Sequence, residues 1–590
     1  MSEYAPPVDH IRFVLDHVVD LESLLATERF GHVDSDTVHD VVAEVGRFMA
    51  EVVAPTNVDG DRIGASWDDG VVSVPDSFQG AYAGWVESGF GAMPFDAEFG
   101  GAGFPWVSAI AVQEMLTSAN MALSLCPLLT QGAIDAIHAH GSDEQKATFL
   151  PKMLTGQWTG TMNLTEPQAG SDVGAVTTKA EPSPTFDDDG SYLITGQKIY
   201  ITFGEHQLAE QIVHLVLART PGSPPGTKGI SMFVVPKFLL DENGDPGEAN
   251  PVSCVSIEHK VGIHGSPTCV MAFEGATGWL VGDEHAGMRN MFTMMNNARL
   301  SVGLQGLALS ERAYQQSLQY SLDRTQGTAI GAEKGTSSPI IEHPDVRRML
   351  MTQRAWIAAM RCLIYTNAGA LDRAEAAVDA DEATRWREIA DLLIPLSKGL
   401  CTDVGVEMTS LAIQIHGGMG YVEETGSAQH WRDSRIAPIY EGTNGIQAAD
   451  LVGRKLAMRG GGVIVDLLDE FDLRVKELSD IPALAVFGQR LDEAVSVTRQ
   501  ATDHLLATGL ADPRSLLGAS VPYLRLLGTT VCGGLLAKQA VAAANGADDP
   551  SRLESAAFFG EQIMPTVAGL LPAVTSTSDR LYALDADQLA

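Results

Sequence analysis

A single carboxylate, Glu441, interrupts the stretch Arg-Ile-Ala-Pro-Ile-Tyr-Glu-Gly-Thr-Asn-Gly-Ile-Gln at 435–447. It stands between an apolar run and a glycine-punctuated turn. Two roles suit it: a proton acceptor, if the apolar neighbours keep the carboxylate dry enough to be basic, or a cap for the following helix, which Thr443 can supply instead. A second group lies in "MNLTEPQAGSDVGAVTTKA" (162–180). There Thr165, Gly170 and Ser171 offer hydroxyls and close backbone approach, in a loop at a helix-to-strand transition. "QKIYITFG" (197–204) follows it as a strand. "GGMGYVEETG" has glycines spaced somewhat like a dinucleotide fingerprint, but it follows a helix rather than a strand, so a Rossmann reading fails its context test. His206, His416 and His430 show no metal-ligand pairing and read as packing or surface residues.

These stretches sit in a particular order of elements. Residues 36–160 read as helical, with Val38, Val41, Val45, Phe48 and Val52 at steps of three or four and Ser142 opening a capped helix. Short β-branched and aromatic runs separated by Gly, Pro and Asp then mark an antiparallel β-barrel or sandwich over 161–287. From 288 to 458 the helical period returns. Leu300, Leu304, Leu307, Tyr314, Leu318 and Leu322 form one stripe, Pro344 opens a second helix, a third ends at "QIH", and the segment after Glu441 supplies a fourth, which together make a four-helix bundle. Residues 1–35 form an N-terminal extension. Residues 459–590 read as an alanine- and leucine-rich helical appendage for packing or dimerisation, with no motif that carries chemistry.

The chain has 590 residues and a formal net charge of −36, from 75 acidic and 39 basic side chains. Without a basic cluster, that balance repels a polyphosphate backbone and argues against nucleic acid as a partner. Six scattered cysteines without CxxC spacing read as reduced, buried thiols, not as a disulfide framework or zinc site. No run of about 20 uncharged apolar residues predicts an integral membrane segment. The N-terminal stretch lacks a signal pattern, so a cytoplasmic location is expected.

"LTEPQAGSDV", "GQKIYITFG", "SIEHKVGIHGS", "QIHGGMGY" and "IYEGTNGIQ", in that order between about 36 and 455, resemble the acyl-CoA dehydrogenase family. The extra C-terminal region and the "FDDDG" loop are similar to its longer bacterial branch, which includes fatty acyl and 3-methylthiopropanoyl-CoA dehydrogenases. The resemblance implies noncovalently bound FAD and formation of a trans double bond between Cα and Cβ of an acyl-CoA, with FAD N5 accepting the β-hydride. It implies that Glu441 is the α-proton base. The branch that carries its base on the bundle helix would need a carboxylate where this chain has Ala298. For the flavin the resemblance implies Leu164, Thr165, Gly170 and Ser171, with Tyr200 and Thr202 on the flanking strand. Arg324, Gln326, Gln414, Gly418 and Thr443 are implied to complete the set, partly from a neighbouring subunit, hence a homodimer or higher homo-oligomer. Arg299 and Ser171 are implied on the CoA side. Asn296, Gly445 and His264 depart from common family residues and mark a branch.

The resemblance further implies electron transfer to an electron transfer flavoprotein. The alternatives are an acyl-CoA oxidase using O2 and a nucleic-acid-associated flavoprotein of the same fold. The C-terminal "DADQLA" disfavours the peroxisomal oxidases, and the charge disfavours the latter.

Overall fold

The computed structural model describes residues 4–509, 511–546 and 549–590. The chain divides into two compact units: Glu44–Ser301, and Met1–Ala43 with Val302–Ala590.

In the first unit the helices Trp106–Ala119 and Met121–His140 are buried almost all round, as their near absence of charge requires. Helix Asp143–Leu154 starts as its sequence predicts. Ser142 Oγ accepts from Gln145 N and Gln145 Oε1 accepts from Ser142 N, both at 3.1 Å, a capping box. Of the face expected from helix Ser35–Phe48 onward, Val38 and Val45 are buried, whereas Val42, Met49 and Val53 are buried in place of the half-buried Val41 and Phe48 and the exposed Val52. A π-helical turn follows at Met49–Val53.

The β-region is a seven-stranded sheet with a separate two-stranded one, Phe238–Leu240 paired to Pro246–Ala249. The order of the larger sheet runs Trp158–Asn163, Gln211–Ala218, Ser231–Pro236, Thr268–Leu280, Ser191–Thr202, Lys179–Pro182, with Val252–Ile257 paired to Thr268–Leu280. Pairing is antiparallel except at Trp158–Asn163 against Gln211–Ala218, which run parallel from Trp158 opposite Gln211. Tyr192, Ile194, Phe233 and Phe273 form its core.

In the second unit three long helices, Gly287–Asp323 (from Val302 on), Pro344–Ala376 and Ala380–His416, form the bundle. Two of them cross on glycine. A Cβ on Gly306 would lie 2.0 Å from Cys401 O, and one on Gly405 would lie 2.6 Å from Gly306 Cα. The expected long fourth helix is instead a short one, Asn444–Asp450, followed by a π turn, Leu451–Lys455.

The missing wall comes from the C-terminal region, whose helix Ser520–Gly546 packs on Pro344–Ala376 and Ala380–His416. Leu524 lies against Gly399, and Leu400 against Gly528. Each leucine buried this way contributes about 1.5–3 kcal/mol. By length and composition Ser520–Gly546 could cross a membrane, but 83% of its apolar window is buried inside the fold. All six cysteines are buried and unpaired.

Candidate active site

Glu441 sits on a turn between helices Ser427–Ser434 and Asn444–Asp450. Its φ is +54° and that of Gly442 is +79°. A left-handed glutamate costs about 1–3 kcal/mol and persists only where its surroundings over-determine it. Those surroundings centre on Asn444, which the sequence did not single out. Its Oδ1 accepts from Lys398 Nζ at 2.8 Å, and its Nδ2 donates to Asp403 Oδ1 at 2.7 Å, Thr402 Oγ1 at 2.9 Å and Gly399 O at 3.0 Å. Burial raises the Asp403 carboxyl above its usual range, against the opposing pull of Asn444.

Three further contacts fix the turn. Tyr440 donates to Gln305 Oε1, and burial lifts its phenol well above the usual range. Gln447 Nε2 donates to Glu441 O at 3.3 Å. Thr443 Oγ1 accepts from Ile446 N at 3.3 Å. Thr443 therefore caps the following helix. The apolar run before Glu441 does not enclose it as expected, because Ile439 is 50% exposed and Ile446 beyond it 43%.

Arg324 and Gln326 share an exposed turn, Arg324 Nη2 donating to Gln326 Oε1 at 3.1 Å. Gln414 and Gly418 lie at the exposed C-terminal end of helix Ala380–His416, where Gly417 turns the chain at φ +59°. Open space surrounds the position of a Cβ on Gly418. The histidines serve packing. His416 stacks on Tyr320 at 4.4 Å, His430 lies 3.2 Å from Gln316 Oε1, and His206 lies 3.0 Å from Thr159 Oγ1. Burial pushes both His206 and His430 down to about 3.

In the other unit, Leu164 and Thr165 join strand Ser191–Thr202 where Ile199 N donates to Thr165 O at 2.9 Å. A register shift between Cys269 and Met271 leaves Tyr200 bulged at φ +60° with its side chain 61% exposed. The loop after Thr165 is tied down by Glu166, a second residue the sequence reading passed over. Glu166 Oε1 accepts from Lys198 Nζ at 2.8 Å and Thr178 Oγ1 at 2.6 Å, and Oε2 from Thr177 N at 2.8 Å. Burial alone would raise the Glu166 carboxyl, but Lys198 and these donors outweigh it and bring it down to about 2. Gly170 and Ser171 at the loop tip are exposed. Arg299 is buried, its guanidinium 5.8 Å over Phe292. The side chain of Asn296 lies outside the described residues. Among the described residues no group of three His, Cys, Asp or Glu could hold a metal ion.

The N-terminal, middle and C-terminal domain models of acyl-CoA dehydrogenase match residues 35–157, 161–276 and 285–456. A 3-methylmercaptopropionyl-CoA dehydrogenase of Ruegeria pomeroyi is 45% identical, over 98% of this chain and 99% of its own. The chain belongs to the acyl-CoA dehydrogenase family. It is accordingly an oxidoreductase that dehydrogenates acyl-CoA, with FAD as cofactor. Its C-terminal region, residues 467–585, matches the family's acetyl-CoA dehydrogenase C-terminal-like model. A butyryl-CoA dehydrogenase of Syntrophomonas wolfei is 36% identical over 97% of both chains. An acyl-CoA dehydrogenase from Bacillus anthracis complexed with FAD shares the fold at a TM-score of 0.74 and 21% identity, covering 97% of this chain and 93% of that one.

The residues present suit this family's flavin. Thr165 and Thr202 carry half-buried hydroxyls with no hydrogen bond among the described residues; Thr202 stands two positions after the exposed Tyr200 on one strand, and Thr165 precedes the loop that exposes Gly170. Hydroxyl donors beside an aromatic surface are the chemistry a flat, polar-edged ring system needs.

Proposed function

We propose that the protein converts an acyl-CoA to its trans-2-enoyl-CoA, with Glu441 taking the α-proton. The observation that carries this is the strained backbone of Glu441, held at φ +54° on a turn pinned by Asn444. A thioester α-proton is far too weakly acidic for a carboxylate in water, so the site must supply the difference. The Glu441 N–H donates to the thioester carbonyl as negative charge develops there. The bound acyl chain covers the exposed Ile439 and Ile446 and excludes water, raising the proton affinity of the carboxylate toward that of a useful base. When bound, FAD supplies the acceptor for the hydride that leaves Cβ.

Leu164, Thr165, Gly170, Ser171, Tyr200 and Thr202 hold the cofactor in one subunit. Arg324, Gln326, Gln414, Gly418 and Thr443 complete its binding, partly from a neighbouring subunit, so the working unit is at least a homodimer. Arg324 brings a forked guanidinium suited to the pyrophosphate. Arg299 and Ser171 serve the CoA side. Electrons pass to an electron transfer flavoprotein in the cytoplasm, and the functional segments divide at 36, 161, 288 and 459.

The test is turnover, run anaerobically and in air, with a panel of acyl-CoAs that includes 3-methylmercaptopropionyl-CoA and butyryl-CoA, the substrates in the names of the two relatives. The expected result is trans-2-enoyl-CoA in the presence of an electron transfer flavoprotein, with little peroxide in air. Stoichiometric peroxide without added acceptor would replace the dehydrogenase reading with that of an oxidase.

A further inference from the structure

Segments far apart in sequence meet around a small polar cavity of about 50 Å³, within the unit that contains the bundle. His10 lines it from helix Val8–Val14, Glu311 from Gly287–Asp323, Arg354 and Arg361 from Pro344–Ala376, Gln539 from Ser520–Gly546 and Arg552 from Pro550–Phe558. Two of the three guanidiniums are paired, Arg361 to Glu311 at 2.9 Å and Arg552 to Asp549 at 2.8 Å. Arg354 meets hydroxyls instead, donating to Ser555 Oγ at 3.0 Å and to Ser551 Oγ.

Arg552 is 8% exposed, and its buried Nε has no hydrogen-bond partner. Asp9, a further carboxylate acting on Arg552, is exposed to solvent. His10 adds no charge near neutrality, because burial and then Arg361, with Arg552 and Arg354 beyond it, push it down to about 4 against Glu311. The cavity thus gathers three guanidiniums around one lining carboxylate, Glu311, while Asp549 and the exposed Asp9 act on Arg552 from outside the lining. Arg354 is half-buried and has no carboxylate ion pair among the described residues, so its fork is available to an anion in the cavity.

We propose that this cavity binds a small oxyanion of the phosphate class and that the bound ion ties the N-terminal helix and the C-terminal helices to the bundle. Guanidinium forks match the paired oxygens of such ions, which a point charge does not. The volume is several times the roughly 10–15 Å³ that one water needs on the same measure. The proposal is independent of the role of Glu441.

The experiment is thermal unfolding of the full-length, FAD-loaded protein titrated with inorganic phosphate, with ionic strength held constant by a bulky organic salt. The unfolding midpoint is expected to rise with phosphate and saturate. Arg354→Gln is expected to raise the half-saturating concentration about tenfold or more, since it removes a charge-assisted hydrogen bond to the ion. Arg354→Lys, which keeps the charge and loses the fork, is expected to fall between, and it decides the matter if Arg354→Gln does not fold. Arg385→Gln, at an exposed arginine on helix Ala380–His416, is expected to respond as the unmodified protein does. No saturable rise in the unmodified protein, or half-saturation unchanged in the Arg354 variants, overturns the proposal.

Discussion

At the residue scale the account rests on two side chains that touch no substrate. Asn444 hydrogen-bonds four residues of helix Ala380–His416, Lys398, Gly399, Thr402 and Asp403, and so holds the Glu441 turn to it. Asn444→Ala removes an acceptor from the buried Lys398 ammonium and a donor from the Asp403 carboxyl, and it is expected to cost about 2–3 kcal/mol in denaturant unfolding. The same variant should lower kcat more than it raises KM, because the base is misplaced rather than the substrate released. Glu166 plays the corresponding part in the loop at 164–171. Its carboxyl lies at about 2, below the ordinary 4.5, so it contributes stability that is complete above about 4.5 and is lost as pH falls through about 2. FAD fluorescence followed across a pH titration should therefore report no loss of cofactor from this source at pH 5–8. In Glu166→Gln, with Lys198 left buried and unpaired, unfolding should be easier by about 3–5 kcal/mol.

At the element scale the decisive features are close approaches. Helices Gly287–Asp323 and Ala380–His416 cross where Gly306 faces Cys401 and Gly405, so a single added methyl must push them apart. Gly306→Ala is expected to lose about 1–3 kcal/mol, read as a lower thermal midpoint. A midpoint unchanged within error would show that the crossing can relax. This scale also separates what the sequence made legible from what it hid. Ser142 announces its helix because a capping box is local, and Glu441 stands out because "YEGT" is contiguous. Lys198, Asn444 and Gly306 are hidden because their partners lie 32 residues away at Glu166, 46 away at Lys398 and far along the chain at Cys401. Tyr200 was legible as a strand aromatic, but the bulge that turns it outward depends on the register of strand Thr268–Leu280. The expected long fourth bundle helix failed for a similar reason. A periodic apolar segment shows that a face is buried without naming what covers it.

At the scale of the whole molecule the C-terminal region is part of the bundle rather than an appendage to it. Helix Ser520–Gly546 supplies Leu524 against Gly399 and leaves Gly528 free to receive Leu400. A chain ending before residue 459 would expose that face. It is expected to unfold in one transition well below the full-length midpoint, or to aggregate, as measured by differential scanning calorimetry and light scattering. An unchanged bundle transition in the shortened chain would show instead that the region is independent. The charge of −36 acts at the same scale, so the phosphates of acyl-CoA and FAD must be met by local cations such as Arg299 and Arg324 rather than by the field of the whole chain.

All three scales converge on the carboxylate of Glu441, and the most direct test is rapid anaerobic mixing of the FAD-loaded protein with a good acyl-CoA, following flavin absorbance. The unmodified protein should bleach quickly. Glu441→Gln, which keeps the size and the turn, should bind FAD normally and bleach at least about 10²–10⁴-fold more slowly, the range a positioned general base contributes. Bleaching of Glu441→Gln within twofold of the unmodified rate would contradict the assignment.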